Sequence, residues 1–133
     1  MGRKEEYKEK NLQFLSELSR QEGIYSLPYN IYYRVLESGR GRISPNIRSI
    51  VTVHYKGSLM NGRVFDNSYE RGCPEAFRLS DVIEGWQLAL QQMHVGDKWI
   101  IYIPYTKGYG SRASGPIPAF STLVFEVELL GVV

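Results

Sequence analysis

Cysteine is nearly missing from this sequence. Cys73 is the single one among 133 residues, so no internal disulfide and no cysteine-rich metal framework is available. Two histidines, His54 and His94, stand far apart and give no metal-ligand spacing. No metal or other cofactor is expected. Charge of one sign is also lacking. The formal net charge of +2 is too small to imply a nucleic-acid or anionic-membrane surface. No hydrophobic run reaches the length of a membrane span, and no internal repeat is visible. The first residues, Met1 to Glu6, contain no apolar leader. The sequence as it stands is therefore expected in the cytoplasm. Prior removal of a signal segment would make the protein periplasmic or membrane-anchored.

What is present is apolar patterning. Hydrophobic residues make up 43% and charged residues 23% of the chain, the composition of a folded domain. Ten tyrosines are many for this length, and such rings build either core or pockets with a polar handle. Trp86, Ala89, Leu90 and Met93 repeat at i, i+3, i+4 and i+7, which predicts one amphipathic helix starting near Val82. Gly85 is expected to leave room beside the indole, and Gly96 to cap the helix.

Strand patterns surround this helix. Ile31 to Glu37 alternates, Ser49 to Ser58 is rich in β-branched residues, and Asn61-Gly62 marks a hairpin returning through Arg63 to Asp66. Tyr69 to Pro74 reads as loop, and Phe77 to Leu79 as a short strand. Lys98 to Ile103 and Thr122 to Leu130 are further strands. Tyr105 to Ala119 is a long Gly/Pro-rich loop of the kind that often carries function. Arg3 to Arg20 reads as a helix with a stripe of Phe14, Leu15 and Leu18, extended by Tyr7 and Leu12. Such a helix is marginal alone, so it should dock on its own domain or on a second copy.

The fold expected is α+β. A strongly twisted antiparallel sheet of five to six strands, a half-barrel, wraps around one main helix, and a short N-terminal helix precedes it. The division expected is an N-terminal arm and link over residues 1–28 and one domain over 29–133.

Val53-His54-Tyr55, Gly62-Arg63-Val64-Phe65-Asp66, Val82-Ile83-Glu84-Gly85-Trp86, Tyr109-Gly110, Ile117-Pro118 and Thr122 to Leu130 occur in one colinear order. Together they resemble the FKBP-type peptidyl-prolyl cis-trans isomerases over roughly residues 29–130. The preceding helix and Glu22 to Leu36 resemble the bacterial Mip/FkpA-like branch, whose longer members carry a helical dimerisation arm. The arm here is short, so a monomer is expected.

The resemblance implies rotation of X-Pro bonds in peptides and folding proteins, inside an apolar pocket that a macrolide could also occupy. It implies Trp86 as the floor, and Tyr55, Phe65, Val82, Ile83, Ile117 and Phe125 as walls, with Phe77 in the strand before the helix. Asp66 would be the polar rim residue, Tyr109 a hydroxyl donor, and the Ile83 backbone N–H a donor to a bound carbonyl. Phe65, Asp66, Ile83, Trp86 and Tyr109 are thus the candidates for catalysis. The alternative on the same fold is a non-catalytic peptide-binding or chaperone module. Three departures bear on substrate preference: Glu75 two positions before Phe77, one extra residue between Pro104 and Tyr109, and Pro116 before Ile117.

Overall fold

The computed structural model describes residues 2–133. Helix α1 (Arg3–Leu18) leads into strands β1 (Tyr25–Leu27), β2 (Ile31–Glu37), β3 (Ile50–Leu59) and β4 (Val64–Asn67). A one-turn helix α2 (Ser68–Arg71), strand β5 (Glu75–Arg78) and helix α3 (Glu84–Leu90) follow, then strands β6 (Lys98–Ile103) and β7 (Leu123–Val132).

All seven strands join one antiparallel sheet in the order β1-β2-β6-β7-β3-β4, with β5 also paired to β3. The sheet is not closed. Strand β3 holds β5 along Ile50–Val53 and β4 along Lys56–Ser58, both on the edge away from β7. The strand count exceeds the expected five to six. Tyr25–Leu27 pairs with Ile31–Tyr33 as a three-residue strand too short to leave an alternation signal.

Alternation sorts the two faces. On β3, Val51, Val53, Tyr55 and Leu59 point to the core, as do Ile101 and Ile103 on β6 and Leu123, Phe125, Val127 and Leu129 on β7. Trp86, Ala89 and Leu90 of α3 complete that core. Burying one such large side chain stabilises the fold by roughly 1.5–3 kcal/mol. The alternate residues face the other way, and α1 covers some of them: Leu15 and Leu18 bury against Tyr102, with Tyr32, Ile100 and Val124 beside them.

Two polar links pin α1. The side chain of Asn11, 1% exposed, donates to the Tyr7 carbonyl at 2.7 Å and accepts from the Thr122 N–H at 2.8 Å. The Tyr7 hydroxyl meets Ser121 Oγ at 2.9 Å. The buried stripe is therefore Asn11, Leu15 and Leu18, while Leu12, expected to extend it, is exposed.

Helix α3 is shorter than its apolar period suggests. It ends at Leu90, after which the Gln92 and Met93 N–H groups bond only three residues back. The next residues are claimed by neighbours: Val95 N–H donates to Ile43 O, Gly96 N–H to Leu129 O, and His94 N–H to the Asp97 carboxylate. Met93 stays fully buried, and Gly96, at φ +97°, forms the turn into β6 instead of a helix cap. Gly85 makes room for β6, not for the indole. A Cβ there would lie 2.5 Å from Ile103 Cγ2, so only glycine lets α3 settle on the sheet at this height.

The loop expected over Tyr69 to Pro74 is in part helical, since α2 covers its first three residues. Asn67 caps it by accepting from the Tyr69 N–H, and Gly72 ends it in the left-handed region. Four residues are too few to show a helical period.

Candidate active site

The β3–β4 hairpin places the first group of site residues. Gly62 turns the chain at φ +90°, and the Leu59 N–H donates to Arg63 O to close the hairpin. Gly57 on β3 then pairs with Asp66 on β4, and the Tyr55 hydroxyl reaches the Asp66 carboxylate. Gly57 is essential to this wall: a Cβ there would sit 2.7 Å from the Phe125 ring and 2.8 Å from the Phe65 ring. The two phenyl rings close over the bare backbone and meet edge to face at 5.7 Å.

Helix α3 supplies the floor. The Ile83 carbonyl accepts from the Trp86 and Gln87 N–H groups, which aims Trp86 inward. The Ile83 N–H itself has no partner among the described residues. Tyr55, Phe77 and Phe125 stand perpendicular to the indole, with centroids at 5.2, 5.8 and 5.2 Å. Such edge-to-face contacts each add about 0.5–1.5 kcal/mol beyond burial and fix the rings in place. The Trp86 indole N–H is buried with no hydrogen-bond partner among the described residues.

These side chains surround a cavity of about 340 Å³. Tyr55, Phe65, Asp66, Phe77, Val82, Ile83, Trp86, Tyr109 and Phe125 all line it. Nine of the ten residues singled out in the sequence are thus brought together. Ile117 is not among the lining residues. It is buried in the main core, and its backbone exchanges hydrogen bonds with Ser114 in a tight turn. Asp81, not singled out in the sequence, lines the cavity as well.

The polar rim is a connected set. The Tyr55 hydroxyl donates to Asp66 Oδ2. Arg71 donates to Asp66 Oδ1 at 2.5 Å, to the Tyr55 hydroxyl at 3.3 Å and to Glu75 Oε1 at 3.1 Å. Arg71 comes from α2, and nothing in the periodicity marked it. Burial alone would raise the Asp66 carboxyl, but the Tyr55 hydroxyl and Arg71 outweigh it and hold the group below the usual carboxylate range. Burial, then the bond to Asp66, pushes the Tyr55 hydroxyl up to about 12. Burial, helped by the Asp66 charge, also raises Tyr109. At neutral pH Asp66 is therefore ionised, and the Tyr55 and Tyr109 hydroxyls are neutral.

Tyr109 sits on the long loop. Its neighbour Gly110 donates to Tyr105 O and accepts from the Phe120 N–H, both at 3.0 Å, and the Tyr105 and Phe120 rings meet edge to face at 5.0 Å. The two histidines lie outside the cavity. His54 bonds Ser68 Oγ at 2.9 Å and stacks on Tyr69, and His94 lies 3.8 Å from Asp97. Cys73 is exposed.

An open sheet around a short helix thus holds an aromatic cavity with a few hydrogen-bonding groups at its mouth, the form of a binding site for a small group. Comparison with known proteins says which kind. Residues 41–130 match the family model described as FKBP-type peptidyl-prolyl cis-trans isomerase. This chain belongs to that family. It is 47% identical over 120 residues to the FKBP-type 22 kDa peptidyl-prolyl cis-trans isomerase of Escherichia coli, covering 90% of this chain and 58% of that protein. It is 43% identical over 125 residues to the peptidyl-prolyl cis-trans isomerase Mip of Coxiella burnetii, covering 93% and 54%. The chain thus spans little more than half the length of these curated relatives. Among solved structures it resembles FkpA from Escherichia coli, with TM-score 0.90 and 38% identity, over 96% of this chain and 59% of that one. It also resembles a peptidyl-prolyl cis-trans isomerase from Pseudomonas syringae pv. tomato, with TM-score 0.91 and 35% identity, over 99% and 97%.

Proposed function

We propose that this protein accelerates cis-trans rotation about X-Pro bonds in peptides and folding proteins. The observation that carries the reading is the aromatic cavity on Trp86 with a charged Asp66 at its mouth. Rotation of the amide meets a barrier of roughly 18–20 kcal/mol because twisting destroys resonance. The two end states differ by only about 0.5–1 kcal/mol, so a catalyst has to favour the twisted amide and needs no nucleophile. A twisted amide has less charge separation and a more pyramidal nitrogen than a planar one. An apolar, water-poor cavity therefore favours the twisted state.

In this reading Trp86, Tyr55, Phe65, Phe77, Val82, Ile83 and Phe125 hold the proline ring. The Ile83 N–H and the Tyr109 hydroxyl donate to substrate carbonyls. Asp66 acts through its charge and orientation and carries no proton, since it stays ionised through the neutral range. Each polar contact contributes about 1–3 kcal/mol. Macrolide binding in the same cavity and a monomeric state belong to the same proposal.

The test is NMR exchange on X-Pro peptides without a coupling protease. Cis-trans exchange well above the uncatalysed rate supports the reading. Peptide binding with no acceleration would make the protein a binding module and overturn it.

A further inference from the structure

We propose that helix α1 holds the Tyr109 loop in its working position, and that Tyr7 and Lys8 are positioning residues that act on Tyr109 through Ser121 and Phe120. The proposal rests on the isomerase reading and makes the N-terminal helix a part of that same site.

Tyr109 reaches the cavity from the long loop, and its hydroxyl bonds no described residue. The loop backbone therefore sets where that hydroxyl lies. Residues 111–116, which follow, are exposed, so the hold on Tyr109 has to come from the flanking segments. These segments meet at Gly110. Its N–H donates to Tyr105 O, and its carbonyl accepts from the Phe120 N–H. Phe120 makes that bond from a left-handed backbone, at φ +66°, which a bulky residue keeps only where its surroundings hold it.

Helix α1 supplies those surroundings. The Lys8 ammonium lies 5.0 Å from the centre of the Phe120 ring and 5.7 Å from that of Tyr105. Lys8 makes no ion pair with a described residue, so the two rings are its partners. One position further, Ser121 Oγ donates to Pro118 O at 2.8 Å and meets the Tyr7 hydroxyl at 2.9 Å. The next N–H, of Thr122, goes to the Asn11 side chain. Three consecutive residues, Phe120 to Thr122, thus each touch α1. Leu15 and Leu18 already dock the helix on the sheet, one to three turns from these contacts. The contacts at Tyr7 and Lys8 fall on the loop instead. From Lys8 the path runs to Phe120, from its N–H to Gly110, and so to the neighbouring Tyr109.

The experiment measures kcat/KM by NMR exchange on an X-Pro peptide. The full chain carries Y7F, K8M or K8R, each in the parent and in a Y109F background. In the parent, Y7F and K8M should each lower kcat/KM roughly two- to fivefold, the factor that such contacts are worth. K8R keeps a cation over the rings and should restore the rate. In Y109F the hydroxyl to be placed is gone, so Y7F and K8M should cause no further loss. The same factor in both backgrounds would mean that α1 acts only on the fold at large, and would overturn the proposal. No loss in the parent would overturn it as well. Hydrogen exchange on the same samples reads the hold itself. The Phe120 amide should lose protection in Y7F and K8M while the amides of β3 keep theirs, and unchanged Phe120 protection would contradict the proposal. If the parent accelerates no peptide, the isomerase reading fails separately. There, and where Y109F is too slow to measure, the Phe120 protection decides whether α1 holds the loop.

Discussion

At Asp66 the fold keeps a carboxylate ionised at the mouth of an apolar cavity, and Tyr55 and Arg71 do the holding. Its folded pKa lies below the unfolded value of about 3.9. The stabilisation it contributes is therefore complete above that value and is lost as pH falls through the lowered one. Activity should stay level through the range where ordinary carboxylates begin to protonate. In R71L the acid limb of the pH–rate profile should move upward, because a cation that holds the carboxylate is gone. Asp66→Ala should cost about fivefold to a hundredfold in kcat/KM, the worth of a contact of about 1–3 kcal/mol. Its melting temperature should fall only slightly, since Asp66 lies at the rim and its ion pair with Arg71 is exposed. Unchanged turnover on several substrates would remove Asp66 from the account. Gly57→Ala makes the opposite contrast. Its Cβ would meet the Phe65 and Phe125 rings at under 3 Å, so it should displace the wall and depress both stability and peptide binding. Thermal melts and NMR titrations check this.

Among the elements, α3 and the strands beneath it serve core and pocket together. Trp86→Ala or Phe125→Ala removes a large ring from both, so each should cost about 3–5 kcal/mol of stability along with activity. Denaturant unfolding and exchange rates, measured on the same variants, test that pairing. Helix α1 is held differently, through a buried amide. Asn11→Ala would leave the Thr122 N–H without its partner and should cost about 1–3 kcal/mol, with the readout in denaturant midpoint. These elements also mark how far the sequence could be read. The strands Ile31–Glu37, Ile50–Leu59, Lys98–Ile103 and Leu123–Val132 follow the alternation of their side chains and were legible nearly to the residue. The end of α3 was not. Met93 continues the apolar period, but backbone partners on other strands take over after Leu90. Asn11 was hidden because a polar residue in an apolar stripe reads as solvent-facing until its partner, 111 positions away, is known. Arg71 was hidden for a like reason. Its helix is one turn long, and its bonds to Asp66, Tyr55 and Glu75 are visible only once α2 folds against the middle of β3 at Tyr55. The aromatic residues that line the cavity were singled out through the family resemblance that their colinear order carries, where periodicity alone would have assigned them to plain core.

For the molecule as a whole, one sheet separates a main core containing the cavity from a smaller cluster under α1. A ligand that fills the cavity binds only the folded state. At a hundred times its dissociation constant it should therefore raise stability by about 2.7 kcal/mol. The measurement that tests the account most directly joins catalysis to place. Exchange of an X-Pro peptide is followed by NMR while a macrolide pocket ligand is titrated in, with the Trp86 indole N–H resonance recorded in the same samples. The account predicts rapid exchange that falls to the uncatalysed rate as the indole resonance shifts, with both changes following one binding curve. Catalysis that persists after the indole signal has saturated would place the chemistry elsewhere and contradict it.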